Sequence, residues 1–277
     1  MPARLEYTTP VVLSQAQRQE YLSFAKTAAR AAGAVILPHF RSSLQVTNKL
    51  ENGGFDPVTV ADQAGERAIR DAIESTYPEH GIFGEEYGLS PGNGLTWVID
   101  PIDGTRAFMT GMLHWGILLA LFDGQQPVVG VMYQPYTDEL FCGDGEGAWL
   151  ERAGQSAPLR TSACEQVAQA SLSTTGIDWL GANEQKQFGN LSQQTKLTKF
   201  GGDCYLFGTL AMGALDLGVE AGLNAYDIQA LIPIVRGAGG VITAWDGGNP
   251  SLGGTVVASA TQALHDQALS LLAASKP

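Results

Sequence analysis

The run Trp97-Val98-Ile99-Asp100-Pro101-Ile102-Asp103-Gly104-Thr105 constrains this chain more than any other segment. A short apolar stretch, Trp97–Asp100, reads as a buried strand, and it ends in two carboxylates at Asp100 and Asp103. A strand ending in Asp-x-x-Asp can aim both carboxylates and the carbonyl between them at one hard cation. Gly104-Thr105 then turns the chain, so that free backbone N–H groups face the same spot, where an anion could sit. Asp-Pro and Asp-Gly are also common turn dipeptides, so a plain surface turn remains open for this run alone.

The flanking sequence supplies the frame. Ser14 to about Arg41 reads as a helix: Ser14-x-x-Gln17 resembles a capping box, Tyr21, Phe24, Ala25, Ala28, Ala32 and Val35 recur at helical spacing, and Pro38 kinks the last turn. A loop at Glu51-Asn52-Gly53-Gly54 precedes a second helix over Val60–Tyr77. Strands are expected at Trp115–Phe122 and Val128–Tyr133 around the turn Asp123-Gly124-Gln125-Gln126-Pro127, and at Glu139–Cys142 and Gly147–Leu150, an antiparallel meander. Gly, Ser and Pro gather at Arg152–Pro158, which suggests a boundary between an α+β domain over 1–155 and an α/β domain over 156–277. In the second part, strands at Ala170–Thr174, Thr198–Phe200, Leu215–Glu220, Gly240–Ala244 and Thr255–Ser259 alternate with helices at Asp178–Phe188, Tyr205–Gly213, Asp227–Ala238 and Ala263–Ala274.

Composition excludes several classes. With 44% hydrophobic and 16% charged residues, the 277-residue chain is globular and long enough for one large domain or two smaller ones that share a core. A net charge of −12 with no Lys/Arg cluster disfavours nucleic acid and anionic membranes as partners. Cys142, Cys164 and Cys204 form no C-x-x-C pair, and Met1–Pro10 carries no signal-peptide pattern, so a reducing, cytoplasmic setting is expected. No apolar stretch reaches the length of a membrane span. The histidines at 39, 80, 114 and 265 show no zinc-ligand spacing.

Further acids could complete an oxygen-rich site. Glu85-Glu86 ends the short apolar run before Tyr87-Gly88, although an isolated Glu-Glu also suits a solvated turn. Thr59-x-x-Asp62 resembles a capping box, a role compatible with water-mediated metal binding. Asp227 reads as the N-cap of its helix, Pro233 is awkward inside that helix, and Gly237-Ala238-Gly239-Gly240 suits the helix stop. Asp203 and Glu220 lie beside glycine-rich turns, where exposed loop carboxylates are the simpler reading. Arg106 follows Gly-Thr and could pair with an anion or a carboxylate, or simply be a surface charge.

Together, Gly84-Glu85-Glu86, then Asp100-Pro101-Ile102-Asp103-Gly104-Thr105, then Tyr226-Asp227 followed by Gly237-Ala238-Gly239-Gly240 resemble the inositol-monophosphatase superfamily of Mg²⁺-dependent, lithium-sensitive phosphatases, in order and approximate spacing, over about residues 20–260. The resemblance implies an α+β fold, a layered αβαβα sandwich of the inositol-monophosphatase and fructose-1,6-bisphosphatase type. It implies Mg²⁺, two or three ions per active site, and a homodimer acting on a small-molecule phosphate monoester. By resemblance, Glu85, Asp100, the Ile102 carbonyl and Thr105 surround a first metal, Asp100, Asp103 and Asp227 a second, and Asp62 with Glu85 a third. Gly104 and Thr105 match the phosphate-binding turn, and Lys49 falls near a basic residue upstream of Asp62. Thr105, with Glu85 or Asp62, would orient the attacking water and accept its proton.

Within the superfamily, Asp103-Gly104-Thr105-Arg106-Ala107-Phe108, Gly201-Gly202-Asp203-Cys204-Tyr205 and Tyr226-Asp227-Ile228-Gln229-Ala230-Leu231-Ile232-Pro233 resemble the histidinol-phosphate phosphatase branch. The resemblance makes Asp103, Arg106, Asp203, Glu220 and Asp227 substrate-binding. Carboxylates outside the metal shell can pair with an ammonium or imidazolium, whereas inositol offers neutral hydroxyls. Inositol-1-phosphate or a broader set of sugar phosphates remains the alternative substrate class, and a protein-binding role is the alternative to catalysis.

Overall fold

The computed structural model describes residues 5–42, 46–48, 57–178 and 180–273. Lys49 and the Glu51–Gly54 loop fall outside the described residues. Helix α1 (Gln15–Ile36) starts as expected: Gln17 N donates to Ser14 Oγ at 3.3 Å and Ser14 N to Gln17 Oε1 at 3.0 Å. It stops earlier than Arg41, and a 3₁₀ turn over Leu37–His39 with Pro38 in its first turn takes its place. Strands β1 (Val46–Asn48) and β2 (Pro57–Thr59) pair antiparallel, and α2 (Val60–Thr76) follows with the Thr59–Asp62 capping box in place.

Then come β3 (Gly81–Gly84), β4 (Gly88–Ser90), β5 (Thr96–Asp103), the short helix α3 (Thr105–Met109), β6 (Gly116–Phe122), β7 (Pro127–Gln134), β8 (Glu139–Gly143), β9 (Ala148–Arg152) and β10 (Gln155–Pro158). They form an eight-stranded sheet in the order β10-β9-β8-β7-β6-β5-β3-β4. Its pairings are antiparallel, as the meander reading expects, except that β3 runs parallel to β5. The second part comprises β11 (Ser171–Thr174), α4 (Ala182–Ser192), β12 (Leu197–Phe200), α5 (Tyr205–Ala211), β13 (Leu217–Leu223), α6 (Ala225–Ile228), α7 (Leu231–Gly237), β14 (Val241–Thr243), β15 (Gly254–Ser259) and α8 (Gln262–Ala273). Its five strands lie in the order β12-β11-β13-β15-β14, parallel through β13 and antiparallel at β15.

Three cores stack these elements into the expected helix–sheet–helix–sheet–helix order. Ala25, Ala29 and Ala32 of α1 and Ile69 and Ile73 of α2 pack on Trp97, Ile99, Leu119 and Leu121. The alternate residues Val98, Leu118 and Ala120 point to the other face, against Leu206, Phe207 and Leu210 of α5 and Leu231, Ile234 and Val235 of α7, which Val256 and Ala258 cover from the second sheet. Phe188 and Leu191 of α4 with Leu264 and Ala268 of α8 close the outside on Leu217, Val219 and Val257. A sheet covered on both faces explains why β6 and β7 are buried throughout rather than alternating.

Three sequence readings need adjustment. The large sheet runs to Pro158, past the boundary expected at 155, and the middle core joins the two parts. The helix expected over Asp227–Ala238 is two helices. Asn224, not Asp227, is the N-cap; Asp227 is its capping-box partner in the first turn of α6. Pro233 lies in the first turn of α7, where a missing N–H leaves no helical bond unmade. The helix expected from Asp178 begins at Ala182. Among the described residues, no helix is long and apolar enough to cross a membrane.

Candidate active site

Strand β5 extends beyond Asp100 to Asp103, with a register shift against β6 between the two acids. That irregularity lets both carboxylates reach one place although they are three residues apart on a strand. Asp100, 2% exposed, accepts Ile102 N at 3.0 Å, and Asp103 accepts Cys204 N at 2.6 Å from the second part of the chain. Asp227 arrives on α6, where Asn224 N donates to it at 2.6 Å. Oxygens of Asp100, Asp103 and Asp227 lie within 4.8 Å of one another. Glu85 sits just past β3, its N–H donating to the Ile99 carbonyl at 3.2 Å, and borders the same pocket.

The pocket holds about 760 Å³ and is walled by Glu85, Asp100, Ile102, Asp103, Gly104, Thr105, Arg106, Asp203, Glu220 and Asp227, with His114, Thr175 and Cys204 between them. Nearly every site residue read from the sequence is therefore brought together. Asp62 is the exception: buried at 1% exposure, it is absent from the pocket wall, and its Oδ2 accepts Thr59 N and Oγ1 at 2.8 and 2.6 Å. Burial, with Glu86 nearby, raises its carboxyl to about 6. The Thr105 hydroxyl donates to the Ile102 carbonyl at 3.1 Å. Gly104 caps α3 with φ +81°, and a side chain there would meet the His114 carbonyl and Asp203, so the turn requires glycine.

Burial first, then mutual repulsion, holds Asp100 and Asp103 well above the ordinary carboxylate range and Asp227 at about 7. Buried, mutually repelling carboxylates supply hard oxygen donors in excess of any positive charge among them, which suits a divalent cation such as Mg²⁺. The same groups dictate a pH dependence. A carboxyl whose folded pKa is raised keeps its proton after the unfolded chain has lost it, so the chelated protein loses stability from about pH 4 up to about pH 8. A cation needs those carboxyls ionised, so its binding strengthens over the same range. We expect Mg²⁺ to raise Tm more at about pH 8 than at about pH 6. Equal gains in differential scanning fluorimetry would show that these carboxyls are already ionised without metal.

A second acidic group lies in the same pocket. Glu220 is not an exposed loop acid: it is 4% exposed on β13, and its Oε1 accepts Thr175 N and Oγ1 at 2.6 and 2.8 Å. Burial, with Asp203 and Asp227 nearby, raises it to about 8. Asp203 adopts φ +44°, donates its N–H to Thr175 Oγ1 at 3.0 Å, and pairs with His114 Nδ1 at 2.6 Å.

Sequence reading missed His114, Thr175, Glu66 and Arg70. Glu66, fully buried on α2, takes Glu86 N and Tyr87 N at 2.7 and 3.2 Å and so fixes the turn that carries Glu85. Arg70 backs it at 2.7 Å and also holds Gly88 O and Ser90 Oγ. The i,i+4 spacing of Glu66 and Arg70 on a predicted helix was a usable signal; a lone His114 and a lone Thr175 gave none.

Comparison with known proteins fits this geometry. The family model described as the inositol monophosphatase family matches residues 17–276. The chain is 34% identical over 276 residues to the chloroplastic bifunctional phosphatase IMPL2 of Arabidopsis thaliana, covering 95% of this chain and 78% of that protein. It is 33% identical over 247 residues to a histidinol-phosphatase of Chlorobaculum parvum, covering 88% and 93%. A solved inositol monophosphatase from Zymomonas mobilis superposes with a TM-score of 0.82 at 35% identity, over 94% of this chain and 99% of that one.

Proposed function

The chain belongs to the inositol monophosphatase family of metal-dependent phosphomonoesterases, and on that premise we propose that it hydrolyses L-histidinol phosphate to L-histidinol and phosphate. The observation that carries this substrate is the second acidic group, Asp203 and Glu220, which shares a pocket with the Asp100–Asp103–Asp227 cluster. Asp203, joined by Glu220 once a cation beside it draws off the proton that burial retains, favours a leaving group that carries an ammonium and an imidazole over one that offers neutral hydroxyls. Relatives named for histidinol phosphate and for inositol phosphate lie at similar identity, so support for the first rests on the pocket chemistry.

Glu85, Asp100, Asp103, Asp227 and the Ile102 carbonyl would hold Mg²⁺, with Asp62 behind them at a weaker position. When bound, the cation supplies neutralisation of phosphoryl oxygens and activation of water for in-line attack. The protein's own groups do the rest. The Thr105 hydroxyl spends its proton on the Ile102 carbonyl, so its lone pairs are left to accept from the attacking water and orient it. Glu85 or Asp62 takes the proton released. Gly104 and Thr105 N–H groups bind the phosphoryl oxygens, and Arg106 adds positive charge at the pocket wall. Asp203 and Glu220 take the cationic end of the alcohol. The ligand set calls for no covalent phosphoenzyme.

The test is phosphate release with Mg²⁺ from histidinol phosphate, inositol 1-phosphate and fructose 1,6-bisphosphate. We expect kcat/KM for histidinol phosphate to exceed the others by at least about tenfold, and Asp203→Ala to erode that preference. A higher value for inositol 1-phosphate would move the protein to the alternative substrate class. A homodimer, as the family resemblance implies, completes the proposal, and its check is the solution mass.

A further inference from the structure

The chain contains two histidines with both ring nitrogens placed for comparison. His265 is 1% exposed and satisfied on both sides, with Nδ1 3.0 Å from Ser259 Oγ and Nε2 3.0 Å from Thr243 Oγ1. It is a structural histidine by every criterion of burial and pairing. His114 differs. Its side chain is 33% exposed on the pocket wall and Nδ1 lies 2.6 Å from Asp203 Oδ2, but among the described residues Nε2 has no hydrogen-bond partner. The Cε1–Nε2 edge faces Gly201, where even a Cβ would stand at ordinary contact distance, 3.9 Å from both atoms, so nothing on that side crowds the edge.

Asp203 sits in the left-handed region at φ +44°, which Asp tolerates better than most non-glycine residues. Thr175 fixes its N–H, and the same threonine is fixed by Glu220. The pair also abuts the anion-binding turn: a Cβ on Gly104 would come within 2.9 Å of the His114 carbonyl and 3.1 Å of Asp203 Cβ. His114 and Asp203 line the same pocket as that turn, within reach of a group esterified to a phosphate seated there.

Resting on the reading that this pocket takes a phosphate monoester, we infer that His114 and Asp203 act as one specificity unit that recognises an N–H on the alcohol half of the substrate. With Nδ1–H committed to the Asp203 carboxylate, a neutral ring presents Nε2 as an acceptor lone pair at the pocket wall. An acceptor placed there suits an aminoalkyl phosphate and gains nothing from an alkyl phosphate without a donor. His114 thus reads the N–H, and Asp203, which takes the cationic end with Glu220, also positions the ring.

The experiment uses the Mg²⁺-loaded full chain and two simple substrates, 2-aminoethyl phosphate and ethyl phosphate. The readout is the ratio of their kcat/KM values, in which a uniform loss cancels. His114→Phe is expected to lower that ratio about tenfold. Asp203→Asn is expected to lower it as well, and the double variant no further than the worse single one. A second readout is independent of turnover. In ¹⁵N-histidine spectra, His114 should carry its proton on Nδ1, and 2-aminoethylphosphonate should shift Nε2 while ethylphosphonate does not. A ratio unchanged in His114→Phe, additive effects in the double variant, or equal Nε2 shifts with both phosphonates would overturn the inference while leaving phosphatase activity established. No phosphate release from any ester by the wild type would overturn the reading it rests on, and the inference with it.

Discussion

Asp100→Asn should lower kcat/KM at least about 10³-fold, the largest loss expected from any single change in the pocket. Asp100 is the acid that feels all the others: Glu85, Asp103, Asp227 and Asp62 each push its proton affinity upward. A cation that relieves this repulsion would therefore draw strongly on Asp100. The amide keeps the shape and can still accept Ile102 N, so the fold should survive the change. Phosphate release across a Mg²⁺ titration, alongside an unchanged circular dichroism spectrum, makes the check. Near-normal turnover at saturating Mg²⁺ would remove Asp100 from the centre of the site.

The second large effect is on stability. Glu66→Ala should cost about 3–5 kcal/mol, because it strands the Arg70 guanidinium in a site where only 4% of that side chain is exposed. It also releases Glu86 N and Tyr87 N, so the turn bearing Glu85 loses its anchor. The packing leaves no slack: a side chain on Gly84 would run into the Glu66 carboxylate. Urea denaturation gives the cost, and Glu66→Gln, which keeps some of the acceptors, should fall between. A loss below about 1 kcal/mol would mean that water replaces the carboxylate without penalty.

The layered fold and most of the pocket were legible in the sequence because both rest on local signals. The capping boxes at Ser14–Gln17 and Thr59–Asp62 formed as written. The hairpin turn after Phe122 is closed by Asp123 Oδ1 accepting Gln125 N and Gln126 N at 2.8 Å. The acids of the cluster stood out because each ends an apolar run or opens a helix. What stayed hidden depends on partners far along the chain. Glu220 reads as a loop acid until Thr175 is seen against it, and His114 reads as an ordinary histidine until Asp203 arrives beside it. The split of the 227–238 helix turned on Asn224, whose capping role is visible only once α6 is recognised as a separate turn.

The middle core gives the site a mechanical meaning. Glu85 and Asp100 hang from the large sheet and Asp227 from α6, which packs on β5 and β6 within the middle core, so an ion gripped by all of them would tie together parts of the chain about 140 residues apart. Such an ion is a reversible cross-link. The three cysteines are all free, so no covalent bond performs that task. Loading and stripping the metal should therefore tighten and loosen the seam between the two sheets as a whole. The ion that serves the chemistry also acts as a clasp.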